Sequence, residues 1–180
     1  DEIFSGYETY DATYIYKFLK NNIVLDKLAK LFSKLEKIVP LSKSKVNTFF
    51  KIKKFFEVYK RNYKNPHQIW RQINTEKDLS TIFNKEFYDN YLNENLEIKQ
   101  DEDLKYIDNL NYLNISDLEN FLAEDILLKT DRSSMAHGLE LRSPYLNVEL
   151  LNYVFNIEQN ERYTIFNKKI MIKDLLVKIF

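Results

Sequence analysis

The chain has 180 residues, enough for one domain with a real core, and its 27 basic and 27 acidic residues balance, so no global field points to nucleic acid or an anionic membrane. Hydrophobic residues make up 44% and aromatics 15%, which excludes a disordered tail, and the lack of Cys excludes disulfides, thiolate chemistry and cysteine-based zinc sites. Two His do not make a multi-histidine metal site, and no apolar run approaches the roughly 20 residues of a membrane span.

The chain opens on "DEIFSGY" without Met, which reads as a cut piece of a larger protein. Only two Gly occur, Gly6 and Gly138, against a usual share of about 7%, so a mostly helical chain is expected. Residues 23–39 place Leu25, Leu28, Leu31, Phe32, Leu35 and Ile38 at helical spacing, with Lys on the other face and Pro40 as a stop. Ser44 can cap a second helix to about Tyr63, with Val46, Phe49, Phe50, Ile52, Phe55, Phe56 and Tyr59 inward. "NP" at 65–66 starts a short helix near Trp70, and Thr75 with Asp78 resembles a capping pair for 76–83. Residues 84–114 are Asn-rich and acidic, and predict short helices and loops. Asp117 is expected to cap a strong helix through Leu118, Phe121, Leu122, Ile126 and Leu127 towards Met135. Asn147 can cap 148–156, and a last helix is expected over about 167–179. Period-2 alternation is nowhere sustained, so the chain is expected to be all-α, as one helical unit.

Four constellations could carry chemistry. The basic run Lys43–Lys64 interleaves with aromatics, but the aromatics hold helical register, so lysines in water over a buried stripe are expected, without nucleic acid. Asp1 and Glu2 are paired carboxylates of the kind that hold a hard cation together with phosphate oxygens. At "LKTDRSSMAHGLELRSPYL", residues 128–146, Lys129 and Arg132 share a polar helix face with Asp125 just upstream, and Asp131 sits beside it. Gly138 then lets the backbone turn, Glu140 and Arg142 point the same way if the segment is extended, and Pro144 keeps Ser143 out of the helical region. That charged surface is either a functional wall or a buried salt-bridge network bracing the join; spacing does not decide. Finally, Lys168, Lys169 and Lys173 stand near a helix N-terminus, where lysines oppose the macrodipole unless an anion sits nearby.

"DRSSMAHGLELRSPYLN" resembles the segment of glutamine-dependent asparagine synthetases written D-R-x-S-M-A-x-x-x-E-x-R-x-P-F-L-D. "DEIFSGY" resembles their G-x-D-E-L-F-x-G-Y, and "KKIMIKDLL" is similar to their K-x-x-L-(R/K)-x-x-(L/F) helix. The three occur in the family's order, while residues 20–115 carry no matching motif.

The resemblance implies an enzyme that activates the carboxylate of aspartate with ATP and Mg²⁺ as an acyl-adenylate, then accepts ammonia released from glutamine. AMP and pyrophosphate leave. It implies that this chain is the helical second part of an α/β synthetase domain. The Ser-Gly-Gly-x-Asp-Ser pyrophosphate loop and the glutaminase domain would lie upstream. Carried over by position, Asp1 would help hold Mg²⁺. Lys169, or Lys168 one residue earlier, would be the lysine that follows charge on the phosphoryl oxygens. Asp131, Arg132, Glu140 and Arg142 would shape the wall of the active site. Three positions depart from the family pattern: Asn147 stands for Asp, Tyr145 for Phe and Ser143 for Val. Cytoplasmic residence is expected, with no membrane partner, and a homodimer is left open. Two alternatives remain: a related amidotransferase acting on another carboxylate, and a non-catalytic helical interaction module.

Overall fold

The scarcity of glycine is realised as helix in the computed structural model, which describes residues 1–34, 48–61, 65–72, 74, 76–91 and 109–179. Among the described residues there is no strand, and one isolated antiparallel bridge joins Thr164 to Asn167. The chain divides into two compact units, residues 1–15 with 107–180, and residues 16–106.

The first unit begins with the loop 1–6 and the first half of helix α1 (Glu8–Asn21), whose residues from Tyr16 onward count to the second unit. Tyr10 and Tyr14 lie on one face of α1 and, with Tyr7 just before the helix, pack with Leu110, Leu113, Tyr112 and Tyr163. A second cluster buries Ile3, Phe4 and Val154, with Leu150, Leu151, Met171 and Ile172 against them. A long helical run supplies the rest: α7 (Leu110–Ser116), a π-helical stretch Asp117–Leu127 and α8 (Leu128–Met135). Asn109 starts it, its side chain accepting from Asn111 N at 2.9 Å.

This run departs from expectation in two ways. Asp117 does not cap it but lies inside it, in helical conformation and buried, because the apolar stripe begins earlier, at Leu110 and Leu113. The widened π turns also rotate the later apolar residues, so Leu122 is buried while Leu127 is exposed. Beyond Gly138 the chain extends to the 3-10 turn Pro144–Leu146. Then follow α9 (Val148–Phe155), α10 (Gln159–Arg162) and α11 (Ile170–Ile179). Asn147 caps α9 as expected, accepting from Glu149 N at 2.8 Å and Leu150 N at 3.2 Å. The last helix starts three residues later than expected because Thr164–Asn167 form a tight turn before it.

The second unit contains α2 (Ile23–Lys34), α3 (Thr48–Arg61), α4 (Pro66–Ile69), α5 (Glu76–Ile82) and α6 (residues 85–91). Its centre is aromatic: Phe55 stacks on Trp70 at 5.5 Å, and Tyr16 meets Tyr59 edge-on at 5.2 Å. Lys20 lies over the Tyr59 ring, and the Tyr59 hydroxyl donates to Asp26 at 2.6 Å. Periodicity misjudged parts of the inward faces. Leu28, Leu31, Phe32, Phe49, Phe50 and Ile52 are exposed, whereas Ala29, Ser33 and Val58 are buried; Tyr59, expected inward, is fully buried. Lys54, read as solvated, donates to the carbonyls of Trp70 and Gln72 at 2.7 Å. The expected caps Ser44 and Thr75 and the stop at Pro40 lie outside the described residues.

Candidate active site

The loop 1–6 is anchored from below. Ile3 and Phe4 are buried, and Phe4 meets Tyr145 edge-on at 5.9 Å, which ties the loop to the segment after Gly138. Asn114 reaches the Glu2 carbonyl, Ser5 Oγ and the Tyr10 hydroxyl from α7. The Tyr10 hydroxyl donates to the buried Asp117 carboxylate at 2.6 Å. Glu2 is turned inward, where it accepts from the Tyr7 hydroxyl at 2.6 Å. Burial works to raise its pKa, but the Tyr7 bond leads the groups that outweigh burial, and the carboxyl stays below its ordinary value. Ser5 holds a left-handed backbone, φ 50°, with its side chain fully buried.

Above the loop, the turn before α11 brings in the lysines. Thr164 and Asn167 exchange two backbone hydrogen bonds, at 3.0 and 2.9 Å. Phe166 and Lys169 are both left-handed, φ 68° and 56°, which non-glycine residues adopt only when their surroundings hold them. The Lys169 carbonyl accepts from Lys173 N at 3.0 Å as α11 begins, so the side chain leaves the helix at its very start. It ion-pairs with Asp1. The two lysines diverge here: Lys168 pairs with Asp11 of α1 at 2.8 Å. Gly6 is what permits the first pairing. A Cβ there would collide with the Asp1 carboxylate and with Cε of Lys169.

Asp1 and Lys169 are thus a partly exposed carboxylate and ammonium, drawn from opposite ends of the sequence. Each has a phosphate-site counterpart: a hard cation for the carboxylate, phosphate oxygens for the ammonium. Among the described residues no group of three or more His, Asp or Glu could hold a metal by itself.

The other expected residues stand on the exposed surface. Glu140 and Arg142 point the same way and pair at 3.0 Å, but with 72% and 85% of their side chains exposed they form no buried brace. Asp131 and Arg132 lie on α8, exposed, near the exposed Lys129–Asp125 pair at 2.7 Å. Gly138 turns the chain at φ 68° with open space around it, and Ser143 is extended. Sequence reasoning missed Asp11, Asn114 and Asp117. A signal was present: Leu110, Leu113, Asn114 and Asp117 follow i, i+3, i+4, i+7 spacing, as do Tyr7, Tyr10, Asp11 and Tyr14. Polar residues at core positions of a helix face mark side chains that must find partners inside.

A family model described as asparagine synthase matches residues 1–180 of the chain. Neither the curated proteins nor the solved structures contain a match.

Proposed function

Because the chain belongs to the asparagine synthase family, we propose that the Asp1–Lys169 pair is the phosphate end of an ATP-dependent carbon–nitrogen ligase site. The observation that carries this is the pairing itself, made through Gly6 and a left-handed Lys169. Lysine at a helix start is electrostatically costly unless an anion answers it, and Asp1 is that anion here.

In this reading the pair suits Mg-ATP. Asp1 would ligate the metal through a carboxylate oxygen, and Gly6 keeps the space around it clear of side chain. Mg-ATP, when bound, supplies the adenylyl group that makes a carboxylate, in this reading that of aspartate, reactive toward ammonia. Lys169 would place a positive charge where charge builds on the phosphoryl oxygens. Lys168 is committed to Asp11, so Lys169 is the lysine of choice. Asp131, Arg132, Glu140 and Arg142 would line the approach, exposed at the join between α8 and the extended segment. In this reading the chain is the helical part of a synthetase domain in a cytoplasmic protein. The pyrophosphate loop and the glutaminase domain that delivers ammonia precede it, and the part alone is inactive.

The test is pyrophosphate release by the complete protein carrying Lys169→Ala or Lys168→Ala. A large loss in the first and a smaller one in the second is expected. Wild-type rates in both would sink the assignment of the lysine, whereas no pyrophosphate release by the unsubstituted complete protein would favour a helical interaction module. Nothing in the pair selects aspartate, so the same assay across a panel of carboxylates identifies the acceptor.

A further inference from the structure

Asp11 lies on α1, away from the Asp1–Lys169 pair, yet one carboxylate gathers three groups from the turn before α11. Its Oδ1 accepts from the Tyr163 hydroxyl at 2.7 Å and from Phe166 N at 3.2 Å, and its Oδ2 pairs with Lys168 at 2.8 Å. We infer that Asp11 is a positioning residue: it clamps the turn 163–168 so that Lys169 leaves α11 towards Asp1. This rests on the reading of Lys169 proposed above.

The need for a clamp is local. Phe166 and Lys169 both hold left-handed backbone within four residues, in a turn whose own ladder is two hydrogen bonds. A non-glycine residue keeps that conformation only where something outside it fixes the backbone. Asp11 does so at Phe166 itself, through the amide of the first strained residue. Tyr163 pins the same carboxylate from the turn's other side. Its ring is buried, stacks on Tyr14 at 5.3 Å and lies near Tyr10 at 6.1 Å. Lys168 then fixes the residue directly before Lys169. With Lys168 held inward to α1, its neighbour is presented to the loop 1–6. The floor beneath is shared, since Met171 and Ile172 of α11 pack on the cluster that buries Ile3 and Phe4. Packing therefore sets where α11 sits, and Asp11 sets how the chain enters it.

The chemistry of the clamp is separable. Asn at position 11 keeps one carbonyl acceptor for Tyr163 and Phe166 and loses the charge that holds Lys168. Ala loses all three contacts. Tyr163→Phe removes only the hydroxyl. None of these touches Asp1 or Lys169.

The experiment is steady-state pyrophosphate release by the complete protein, with kcat normalised to titrated ATP-binding sites. The variants are Asp11→Ala, Asp11→Asn, Tyr163→Phe and Lys169→Ala. Displacement of a reacting group by about 1 Å lowers rate roughly 100-fold, so kcat of Asp11→Ala should fall about 100-fold and that of Asp11→Asn about tenfold. KM for ATP should stay within about twofold in both, since a group acting only in the transition state moves kcat alone. Tyr163→Phe should lose a few-fold in kcat and serves if Asp11→Ala does not fold. A merely structural Asp11 would lower the number of titrated sites and leave kcat per site unchanged. That result, with Lys169→Ala inactive, overturns the clamp and keeps the role of Lys169. A wild-type rate in Lys169→Ala overturns the parent reading instead.

Discussion

Gly6→Ala separates stability from function at this site. The substitution adds one methyl group, and no left-handed backbone is involved, so its whole effect is steric. The new Cβ would collide with the Asp1 carboxylate and Lys169 Cε, and would lie 2.9 Å from Asp1 Cγ. All of these atoms belong to side chains, and both chains are partly exposed. They can swing out of the way, so the loss of stability belongs at the low end of overpacking, about 1 kcal/mol. The pair cannot re-form with the methyl between its members. If Asp1 and Lys169 act together on a phosphate, a displacement of about 1 Å lowers the rate roughly 100-fold.

Gly138→Ala is the matched control for stability. Nothing lies within 4 Å of a Cβ at position 138, but its φ of 68° is left-handed, so the same methyl acts through the backbone alone. The expected loss is about 1–2 kcal/mol, as large as at Gly6 or larger. Denaturant unfolding of both variants, alongside pyrophosphate release by Gly6→Ala, checks the contrast. Gly6→Ala with a wild-type rate would refute the claim that the glycine exists to let Asp1 and Lys169 meet. A loss of several kcal/mol would refute the claim that its role is local to the pair.

Other outcomes follow from single contacts. Asn147→Ala should lower stability by about 1 kcal/mol in denaturant unfolding, because two amides of α9 lose their acceptor. Asn147→Asp, which restores the residue of the resembled motif, should be neutral or slightly stabilising, since Asp caps as well and a negative charge suits a helix N-terminus. Asp26 is held down from 3.8 to about 2, first by the hydrogen bond from Lys30 and then by that from Tyr59. A carboxyl whose folded pKa is depressed stabilises the fold above about pH 4 and loses that contribution as pH falls through about 2. Asp26→Asn should therefore flatten the decline of stability over that window, and an unchanged acid titration would remove Asp26 from the account.

What could be read from sequence was what a few neighbouring residues decide. Asn147 caps its helix because the capping bonds reach only two and three residues ahead. Gly138 turns the chain and Pro144 keeps Ser143 extended for equally local reasons. Glu140 and Arg142 point the same way because alternation in extended chain requires it, but alternation says nothing about burial, and they are exposed. The stripe of α2 shows the same boundary. Helical spacing identifies Leu28, Leu31 and Phe32 as one face, yet it does not supply a surface to cover them. The Asp117 cap failed because an acid before an apolar run satisfies a local rule, while the true start, Asn109, lies eight residues earlier behind a stripe that already includes Leu110 and Leu113.

The parts of the site that sequence missed share one physical character. Asp11, Asn114 and Asp117 occupy core positions on helix faces where Leu would pack without needing partners. Burying such groups is unfavourable unless they are satisfied, and replacing them by apolar residues is often neutral or stabilising. Packing alone therefore does not favour them over apolar residues. Two of them hold irregular backbone: Asn114 reaches the Glu2 carbonyl and the hydroxyl of left-handed Ser5, and Asp11 reaches the amide of left-handed Phe166. Those two strained segments are the ones that carry Asp1 and Lys169. The regular helices provide apolar packing, and the irregular segments between them provide charge in the open. Polar residues placed inside the helices join the two. A sequence search for sites in such a chain should therefore look at polar interruptions of a buried stripe as well as at the motif residues themselves.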